Sequence, residues 1–133
     1  MSMTMDITAE RDYLSARLAG EYSLAEANRI STRIFQSLAM HSLLKVLIDF
    51  RDVSGEPTMI ERFLISTFMV EEMDRFSDAG VSRATHFGFV GTEPMIDRGR
   101  FGETVAVNRG LFVKVVDNLE VALLWLKIDP VNA

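Results

Sequence analysis

Two short segments near the start of the chain alternate apolar and polar residues, which is the pattern of half-buried β-strands. They are Met5–Ala9 and Tyr13–Gly20, and the charged residues Glu10–Asp12 separate them as a turn. In the second segment Leu14 and Leu18 lie on one side, while polar residues lie on the other. The pattern predicts a β-hairpin with one face wetter than the other.

Apolar residues next recur with the period of an α-helix. Ser23 and Glu26 are predicted to form a capping box, in which the hydroxyl and the carboxylate each satisfy a free backbone N–H. The helix that follows this box is predicted to run from about Leu24 to His41. Its apolar stripe consists of Leu24, Ala27, Ile30, Ile34 and Leu38.

A continuous apolar run, Leu44–Phe50, follows the helix and contains Asp49 near its end. Such a run is typical of a buried parallel strand. The carboxyl end of such a strand lies at the edge of the sheet where the loops of α/β folds bind ligands. Asp49, Arg51 and Asp52 are therefore candidates for a loop that binds a ligand or a partner. Carboxylates at such a place bind metal or act as bases in some proteins; the alternative is that they cap and shape a turn around Gly55.

The rest of the chain continues to alternate helices and strands. The remaining predicted elements are, in order, a helix from about Thr58 to Phe76, a strand at Ala84–Val90, a helix capped by Thr92 with Pro94 in its first turn, a strand at Phe112–Val116, and a helix capped by Asp117 and Glu120 that continues through Leu126. Gly99 and Gly102 weaken the third helix, so its first half is also compatible with a loop.

The order ββαβαβαβα defines a fold class. It predicts one α/β domain over residues 1–133, with a mixed, mostly parallel five-stranded sheet and about four helices. Right-handed crossovers are expected to connect the parallel strands.

The second helix is apolar on more sides than contact with one sheet requires. Leu64 and Phe68 fall within its charged stripe, with Ile65 beside them. That stripe contains Glu61, Glu71, Glu72 and Arg75, and the remaining face is supplied by Met59, Ile60, Phe63, Met69, Val70 and Met73. Burial beneath a neighbouring helix, a subunit interface and an apolar-ligand pocket each explain the excess. We predict a homodimer interface that uses Leu64, Ile65 and Phe68, with Glu72 or Arg75 at its rim.

Composition and charge narrow the class of protein. The chain has 133 residues, 48% of them hydrophobic and 25% charged, which excludes intrinsic disorder. A net charge of −5 argues against a nucleic-acid partner. The sequence has no cysteine for disulfides or thiolate metal sites, and no apolar run approaches the roughly 20 residues that span a bilayer. Because Met1–Asp6 also lacks the features of a signal peptide, we expect a cytoplasmic protein without an integral membrane segment.

Residues with catalytic or ligand-binding chemistry are sparse. The two histidines, His41 and His86, have no spacing that pairs them as metal ligands, and the sequence contains neither a glycine-rich phosphate loop nor a nucleophile elbow. We therefore predict no enzyme activity, no metal and no cofactor. Arg98, Arg100 and Arg109 lie on or near the third helix and form a candidate anion site with its amino end; ordinary solvent exposure is the alternative.

Two segments carry a resemblance to a known family. Residues 46–53 read Val-Leu-Ile-Asp-Phe-Arg-Asp-Val, and residues 115–126 read Val-Val-Asp-Asn-Leu-Glu-Val-Ala-Leu-Leu-Trp-Leu. Together with the ββαβαβαβα order, they resemble the SpoIIAA-like group of STAS domains, which are bacterial domains related to anti-sigma-factor antagonists. CRAL-TRIO lipid-transfer modules share this fold. The resemblance covers nearly the whole chain and implies a non-enzymatic regulatory or binding domain.

The resemblance also bears on a phosphorylation switch. In the antagonists, a serine at the start of the helix after this strand is phosphorylated by a partner kinase, and the added charge switches partner binding. Here residues 54–59 read Ser-Gly-Glu-Pro-Thr-Met, which lacks the Asp-Ser-Ser-Gly pattern of the antagonists. Thr58 lies nearest the expected position and Ser54 is the other hydroxyl in the segment, but we interpret Thr58 first as a helix N-cap.

Two functions of different classes remain after these observations. The first is an interaction module that binds a regulatory protein partner and self-associates through its second helix. The second is a small-ligand module that holds a lipid or an anion between the second and third helices, near the Asp49–Pro57 segment.

Overall fold

The computed structural model describes residues 2–130, which form the predicted order ββαβαβαβα. The elements are β1 (Thr4–Ala9), β2 (Leu14–Glu21), α1 (Leu24–His41), β3 (Lys45–Ser54), α2 (Met59–Ser77), β4 (His86–Val90), α3 (Phe101–Asn108), β5 (Phe112–Val116) and α4 (Leu119–Leu126). The predicted α/β class is confirmed, and the bounds of α1 and β5 match the prediction residue for residue.

Within the described residues, five strands form one sheet whose spatial order follows the chain, β1-β2-β3-β4-β5. β1 and β2 pair antiparallel as the predicted hairpin, and β2 to β5 pair parallel. Aligned positions run across the parallel strands, so that Ile48 lies opposite Phe89 and Phe89 lies opposite Val115. The prediction of a mixed, mostly parallel five-stranded sheet is confirmed.

Helices cover the two faces of the sheet unequally. α1, α2 and α3 lie on one face, where Phe35 of α1 packs on Phe87 of β4 with ring centroids 5.5 Å apart. α4 lies on the other face, and its Leu126 packs against Gly88. A Cβ added to Gly88 would come within 2.8 Å of the Leu126 Cδ1 atom, so this glycine sets how closely α4 approaches the sheet.

α2 packs closely on its neighbouring helices α1 and α3, and its Met69 and Met73 join the buried core above the sheet. The Thr32 hydroxyl of α1 donates to Glu72 Oε2 at 2.8 Å, and the Ser66 hydroxyl donates to the Gly102 carbonyl oxygen of α3 at 2.8 Å. A Cβ added to Gly102 would lie 3.2 Å from Ser66 Oγ, so the glycine permits the close approach of α2 and α3. α2 thus bridges α1 and α3, and a cavity lies between it and the sheet.

β3 is longer than the sequence predicts. The predicted loop residues Arg51 and Asp52 belong to the strand, which continues to Ser54. This extension pairs with β2 alone, because β4 ends at the position of Asp49. The polar residues therefore belong to a strand end that projects beyond β4. The sequence predicts a loop here because these residues are polar, but the backbone remains extended.

α3 begins later than the first interpretation of its sequence predicts. Residues 91–100 form a loop, which is the alternative that Gly99 and Gly102 suggest, and the helix starts at Phe101 rather than after Thr92. The N–H of Phe101 donates to the Asp97 carboxylate at 3.0 Å, so a side chain from this loop satisfies the start of the helix.

The caps of α1 and α4 differ in part from those predicted. Ser23 accepts from the N–H of Glu26 as expected, whereas the Glu26 carboxylate pairs with Arg29. α4 is capped by Asn118 and not by Asp117. Asn118 takes the extended conformation directly before the helix, where its side-chain oxygen reaches the N–H of the third helical residue.

Candidate functional site

α2 begins with a complete capping box. The Thr58 hydroxyl accepts from the N–H of Glu61 at 3.1 Å, and the Glu61 carboxylate accepts from the N–H of Thr58 at 2.9 Å. The interpretation of Thr58 as the N-cap is confirmed. Ser54 lies at the end of β3, where its hydroxyl is 3.4 Å from the Gly20 carbonyl oxygen. Both candidates for phosphorylation are exposed, and the switch itself stays a prediction.

The first two turns of α2 expose an apolar cluster, which we call the α2 patch. It consists of Met59, Ile60, Phe63 and Leu64. Ile60 is 73% exposed and Leu64 is 41% exposed. Arg109, which follows α3, lies with its guanidinium carbon 5.5 Å from the centre of the Phe63 ring, so a cation borders the patch.

Helical periodicity places Met59, Ile60 and Phe63 on the core side of α2, and this prediction is wrong. The buried residues of the helix are Arg62, Ser66, Met69, Glu72 and Met73. Because three of these five are polar, hydrophobicity alone points to the wrong face. The polar members bond to α1, to α3 and to the loop before α3, and no sequence period reveals those partners.

The five residues predicted for a dimer interface do not share one surface. Leu64 and Arg75 are exposed, Phe68 is half-buried, and Ile65 lines the cavity below the helix. Glu72 is 4% exposed, and its carboxylate accepts hydrogen bonds from α1 and from Arg75. Of the predicted set, Leu64 is the member that belongs to the α2 patch.

A cavity of about 170 Å³ lies between α2 and the sheet. Its floor includes the aligned row Ile48, Phe89 and Val115, and Ile65 lines it from α2. The lining extends to Pro57, so the cavity reaches the segment that the sequence suggests for a small ligand.

A buried arginine lies beside this cavity. Arg62 is 9% exposed, and its Nη1 donates to the Met95 carbonyl oxygen at 2.6 Å while Nη2 donates to the Pro94 carbonyl oxygen at 2.9 Å. The Asp97 carboxylate lies 3.8 Å from Nη1. Arg62 therefore fastens the loop of residues 91–100 to α2.

Two side chains from the start of α3 bond to the outer edge of β5. Arg100 Nε donates to the Val115 carbonyl oxygen at 3.0 Å, and Glu103 Oε1 accepts from the Val115 N–H at 2.8 Å. β5 is an edge strand of the described sheet, so its outward backbone groups would otherwise be open to pairing with another chain. The two side chains take the place of a neighbouring strand at this position.

The three arginines considered for an anion site do not converge. Arg98 is exposed and lies 3.7 Å from Glu93, Arg100 bonds to backbone carbonyl groups, and Arg109 follows the opposite end of α3. The Asp97 carboxylate already occupies the amino end of α3. An external anion would compete there with an internal one.

Asp49 and Arg51 form a bidentate ion pair along β3, with donor–acceptor distances of 3.0 and 2.7 Å. Burial by itself would raise the pKa of Asp49, but the hydrogen bonds from Arg51 outweigh burial and hold this pKa below its ordinary value. The register of β3 against β2 shifts by one residue between Asp49 and Asp52. The hydrogen bonds to Asp49 raise the pKa of Arg51, and the negative charge of Asp52 adds to this effect, so the structure brings the three candidates together near the end of β3. Among residues 2–130, no group of three His, Asp or Glu side chains is placed to hold a metal ion.

The two histidines occupy separate places. His86 stacks on Phe112 with ring centroids 4.6 Å apart, lies 5.1 Å from the Trp125 ring, and has its Nδ1 2.7 Å from the Ala84 carbonyl oxygen. His41 is exposed in the last turn of α1. Packing beneath α4 accounts for the position of His86.

The fold can be compared with those of known proteins. No family model matches the chain, and no curated protein matches it by sequence. An anti-sigma factor antagonist from Mycobacterium paratuberculosis has a similar structure, with 14% identity, 95% of each chain covered and a TM-score of 0.59. The antagonist SpoIIAA in its unphosphorylated form aligns with a TM-score of 0.57 at 14% identity, over 95% of this chain and 99% of that one. The fold is SpoIIAA-like.

A third solved structure has the same SpoIIAA-like fold. It is an uncharacterised protein from Shewanella loihica, with 14% identity, 94% of each chain covered and a TM-score of 0.52. These matches confirm the resemblance to the SpoIIAA-like group at the level of the fold, and identities of 14% carry no further than that. Within residues 2–130, no helix combines the length and the apolar character needed to cross a membrane.

Proposed function

We propose that this chain is a non-enzymatic regulatory module that binds proteins, including a second copy of itself, through the α2 patch. The observation that supports the proposal is the exposure of Ile60, Phe63 and Leu64 on adjacent turns of one helix. Contiguous exposed apolar side chains on a folded domain mark an interaction surface more often than scattered ones do. The resemblance to the antagonists supports the regulatory role, and with it a bacterial cytoplasmic setting.

The α2 patch has the composition of an interface centre. It combines aliphatic side chains with the aromatic ring of Phe63, and Arg109 lies at its border. Aromatic residues and arginine are enriched at the energetic centres of interfaces. Four side chains are fewer than the roughly 20–30 residues that each partner contributes to a standard interface. We therefore expect the patch to form the centre of a reversible contact, with polar residues of α2 and α3 around it.

A second copy is a partner that fits this surface. In a two-fold dimer the same surface faces itself, so an apolar patch is complementary to its own copy. The net charge of −5 makes two copies repel each other at long range. Because salt screens that repulsion and leaves apolar contacts in place, association should strengthen as the salt concentration rises.

The named relatives suggest a second kind of partner. Two of the similar structures are anti-sigma factor antagonists, proteins whose name states that they oppose an anti-sigma factor. By analogy of fold, the α2 patch would contact a regulatory protein when it is not in contact with another copy.

A double substitution in the patch tests the proposal. Ile60→Glu with Leu64→Glu should give a folded monomer with unchanged circular dichroism, because both side chains are exposed. Burying a Leu or Ile side chain is worth about 1.5–3 kcal/mol, so the change should weaken association at least tenfold. Sedimentation velocity over a range of concentrations measures the effect.

The matched control uses exposed apolar residues elsewhere. Met40 on α1 and Leu124 on α4 are 77% and 76% exposed, and Met40→Glu with Leu124→Glu should leave association unchanged. A wild-type protein that stays monomeric at every concentration and salt would refute self-association. Equal weakening by both double variants would show that the α2 patch is not the contact surface.

A further inference from the structure

The cavity below α2 has the size of a small-molecule site. Its volume is about 170 Å³. The aligned residues Ile48, Phe89 and Val115 form its floor on the sheet, and its walls include Ile34 of α1 and Ile65 of α2. An engineered cavity of about 150 Å³ with a similar aliphatic and aromatic lining stays dry and binds benzene. Sites for drug-sized ligands are larger, roughly 300–1,000 Å³. The volume therefore suits one ring or a short chain and is too small for a long acyl chain.

The charged groups of the lining are already paired, which argues against an ionic ligand. Arg62 donates to two backbone carbonyl oxygens, and the Asp97 carboxylate accepts the N–H at the start of α3. Arg100 and Glu103 bond to the two backbone groups of Val115. Two cations and two anions leave no net charge, and an ionic ligand would have to displace one of these contacts.

One polar atom in the lining remains available. The Tyr22 hydroxyl oxygen is buried and meets no acceptor at hydrogen-bond geometry in the described part of the chain. Burial, with the negative charge of Glu61 added to it, raises the pKa of Tyr22 to about 12, so the phenol is protonated at neutral pH. The nearest acceptor is the Glu61 carboxylate, which contributes to the raised pKa of Tyr22 as a neighbouring charge and as a weak acceptor, yet it lies outside the geometry of an ordinary hydrogen bond with the phenol. A buried donor of this kind is costly to leave unpaired, and a ligand with an acceptor would pair it.

We propose that the cavity is a binding site for a neutral molecule about the size of a single aromatic ring, with one carbonyl or ether oxygen that accepts a hydrogen bond from the Tyr22 hydroxyl. The apolar body of the ligand lies over the row from Ile48 to Val115. The site uses the inner side of α2, whereas the α2 patch lies on its outer side, so it does not depend on the proposed function.

Acetophenone and toluene are suitable probes, because both carry one benzene ring and only acetophenone carries a carbonyl oxygen. In a methyl NMR titration of the whole chain, acetophenone should shift the signals of Ile34, Ile48 and Ile65 saturably, with a dissociation constant of about 1 mM or tighter. Toluene should bind the same site about fivefold to tenfold more weakly, because it cannot pair the hydroxyl. In the variant Tyr22→Phe, the two probes should bind equally.

A cavity-filling variant locates the site. Ala27 lines the cavity from α1, and Ala25 is exposed on the same helix. Ala27→Leu should abolish acetophenone binding, and the matched control Ala25→Leu should leave it unchanged. If Ala27→Leu does not fold, Ser31→Leu, another lining position on α1, serves the same purpose.

Several results would overturn the proposal. Absence of saturable shifts with either probe would show that the cavity is a packing void. Binding that survives both filling variants would place the site elsewhere. An unchanged preference for acetophenone in Tyr22→Phe would remove the tyrosine from recognition, and tighter binding of hexanoate than of acetophenone would show that the site selects an anion. None of these results alters the sedimentation test of the α2 patch.

Discussion

Arg62 Nη1 donates to the Met95 carbonyl oxygen at 2.6 Å, so a buried cation on α2 holds a loop that itself caps α3. A charge with 9% exposure is retained there because its hydrogen bonds replace those of water. The Arg62 side chain thus connects α2 to the loop of residues 91–100 and, through that loop, to α3.

Arg62→Leu should therefore lower the free energy of unfolding by about 3 kcal/mol, because two carbonyl oxygens and the Asp97 carboxylate lose their donor. Urea denaturation followed by circular dichroism measures the loss. Arg83→Leu is the control; this side chain and that of its partner Asp74 on α2 are both exposed, so the change should cost about 1 kcal/mol or less. Equal losses in the two variants would mean that the bonds of Arg62 add nothing beyond an ordinary surface ion pair.

The capping box at the start of α2 predicts a graded response at Thr58. Thr58→Ala removes the acceptor of the Glu61 N–H and should cost about 1 kcal/mol, whereas Thr58→Ser keeps a hydroxyl and should change little. Thermal unfolding of both variants checks this, with Thr4→Ala in β1 as an exposed threonine outside any cap. Phosphate on Thr58 in cells, accompanied by altered binding of a partner, would instead support the switch of the antagonists.

The Glu72 carboxylate, at the contact between α1 and α2, should make the free energy of unfolding depend on pH. Burial would raise the pKa of this carboxyl, but hydrogen bonds from Arg75 and Thr32 outweigh it and hold the pKa below 4.5. Because the pKa in the folded state is depressed, the carboxylate stabilises the fold above about pH 4.5, and this contribution is lost as the pH falls through the depressed pKa.

Glu72→Gln should accordingly be less stable than the wild type at neutral pH, and the difference should shrink toward pH 3 or so. Urea denaturation at a series of pH values measures it. Glu71→Gln, at the exposed neighbouring position, should differ little from the wild type throughout. A difference for Glu72→Gln that grows as the pH falls would contradict the assigned direction.

The hydrogen bond to Glu103 should protect one backbone amide from hydrogen exchange. Its carboxylate accepts the Val115 N–H on the outer edge of β5, so Glu103→Ala should speed hydrogen exchange at Val115 more than at the neighbouring amides of that strand. Glu120→Ala, an exposed acid at the start of α4, is the control. Uniform acceleration across the whole sheet would indicate global destabilisation and not a local role for Glu103.

The elements that the sequence predicts well are those with one buried side and one solvent side. The alternation from Tyr13 to Gly20 and the stripe from Leu24 to Leu38 follow directly from such burial, and the structure confirms β2 and α1. The closing strand and helix are likewise found, although Asn118 rather than Asp117 provides the cap. A helix or strand that is buried on one side has apolar residues at regular spacing in the sequence, and several such segments in order predict the fold.

The buried face of α2 could not be predicted from such regular spacing. Its inner side carries Arg62, Ser66 and Glu72, which are buried because other helices and a loop supply their hydrogen bonds. Its outer side carries the apolar patch, so the polarity of the helix is inverted over its first two turns. The cavity depends on how far α2 lies from the sheet, a distance that no residue pattern encodes. The size of a candidate ligand and the unpaired Tyr22 hydroxyl therefore emerge only from the structure.

The sequential strand order has a consequence for biosynthesis. Each parallel strand adds to the edge left by the strand before it, so the sheet can grow in the order in which the ribosome delivers it. Each of these pairings joins strands that are neighbours in the chain, so the loop it closes is shorter than a pairing between more distant strands would require. A nascent chain that has emerged through β4 can hold four paired strands, with Phe35 packed on Phe87, before α3 and β5 are made.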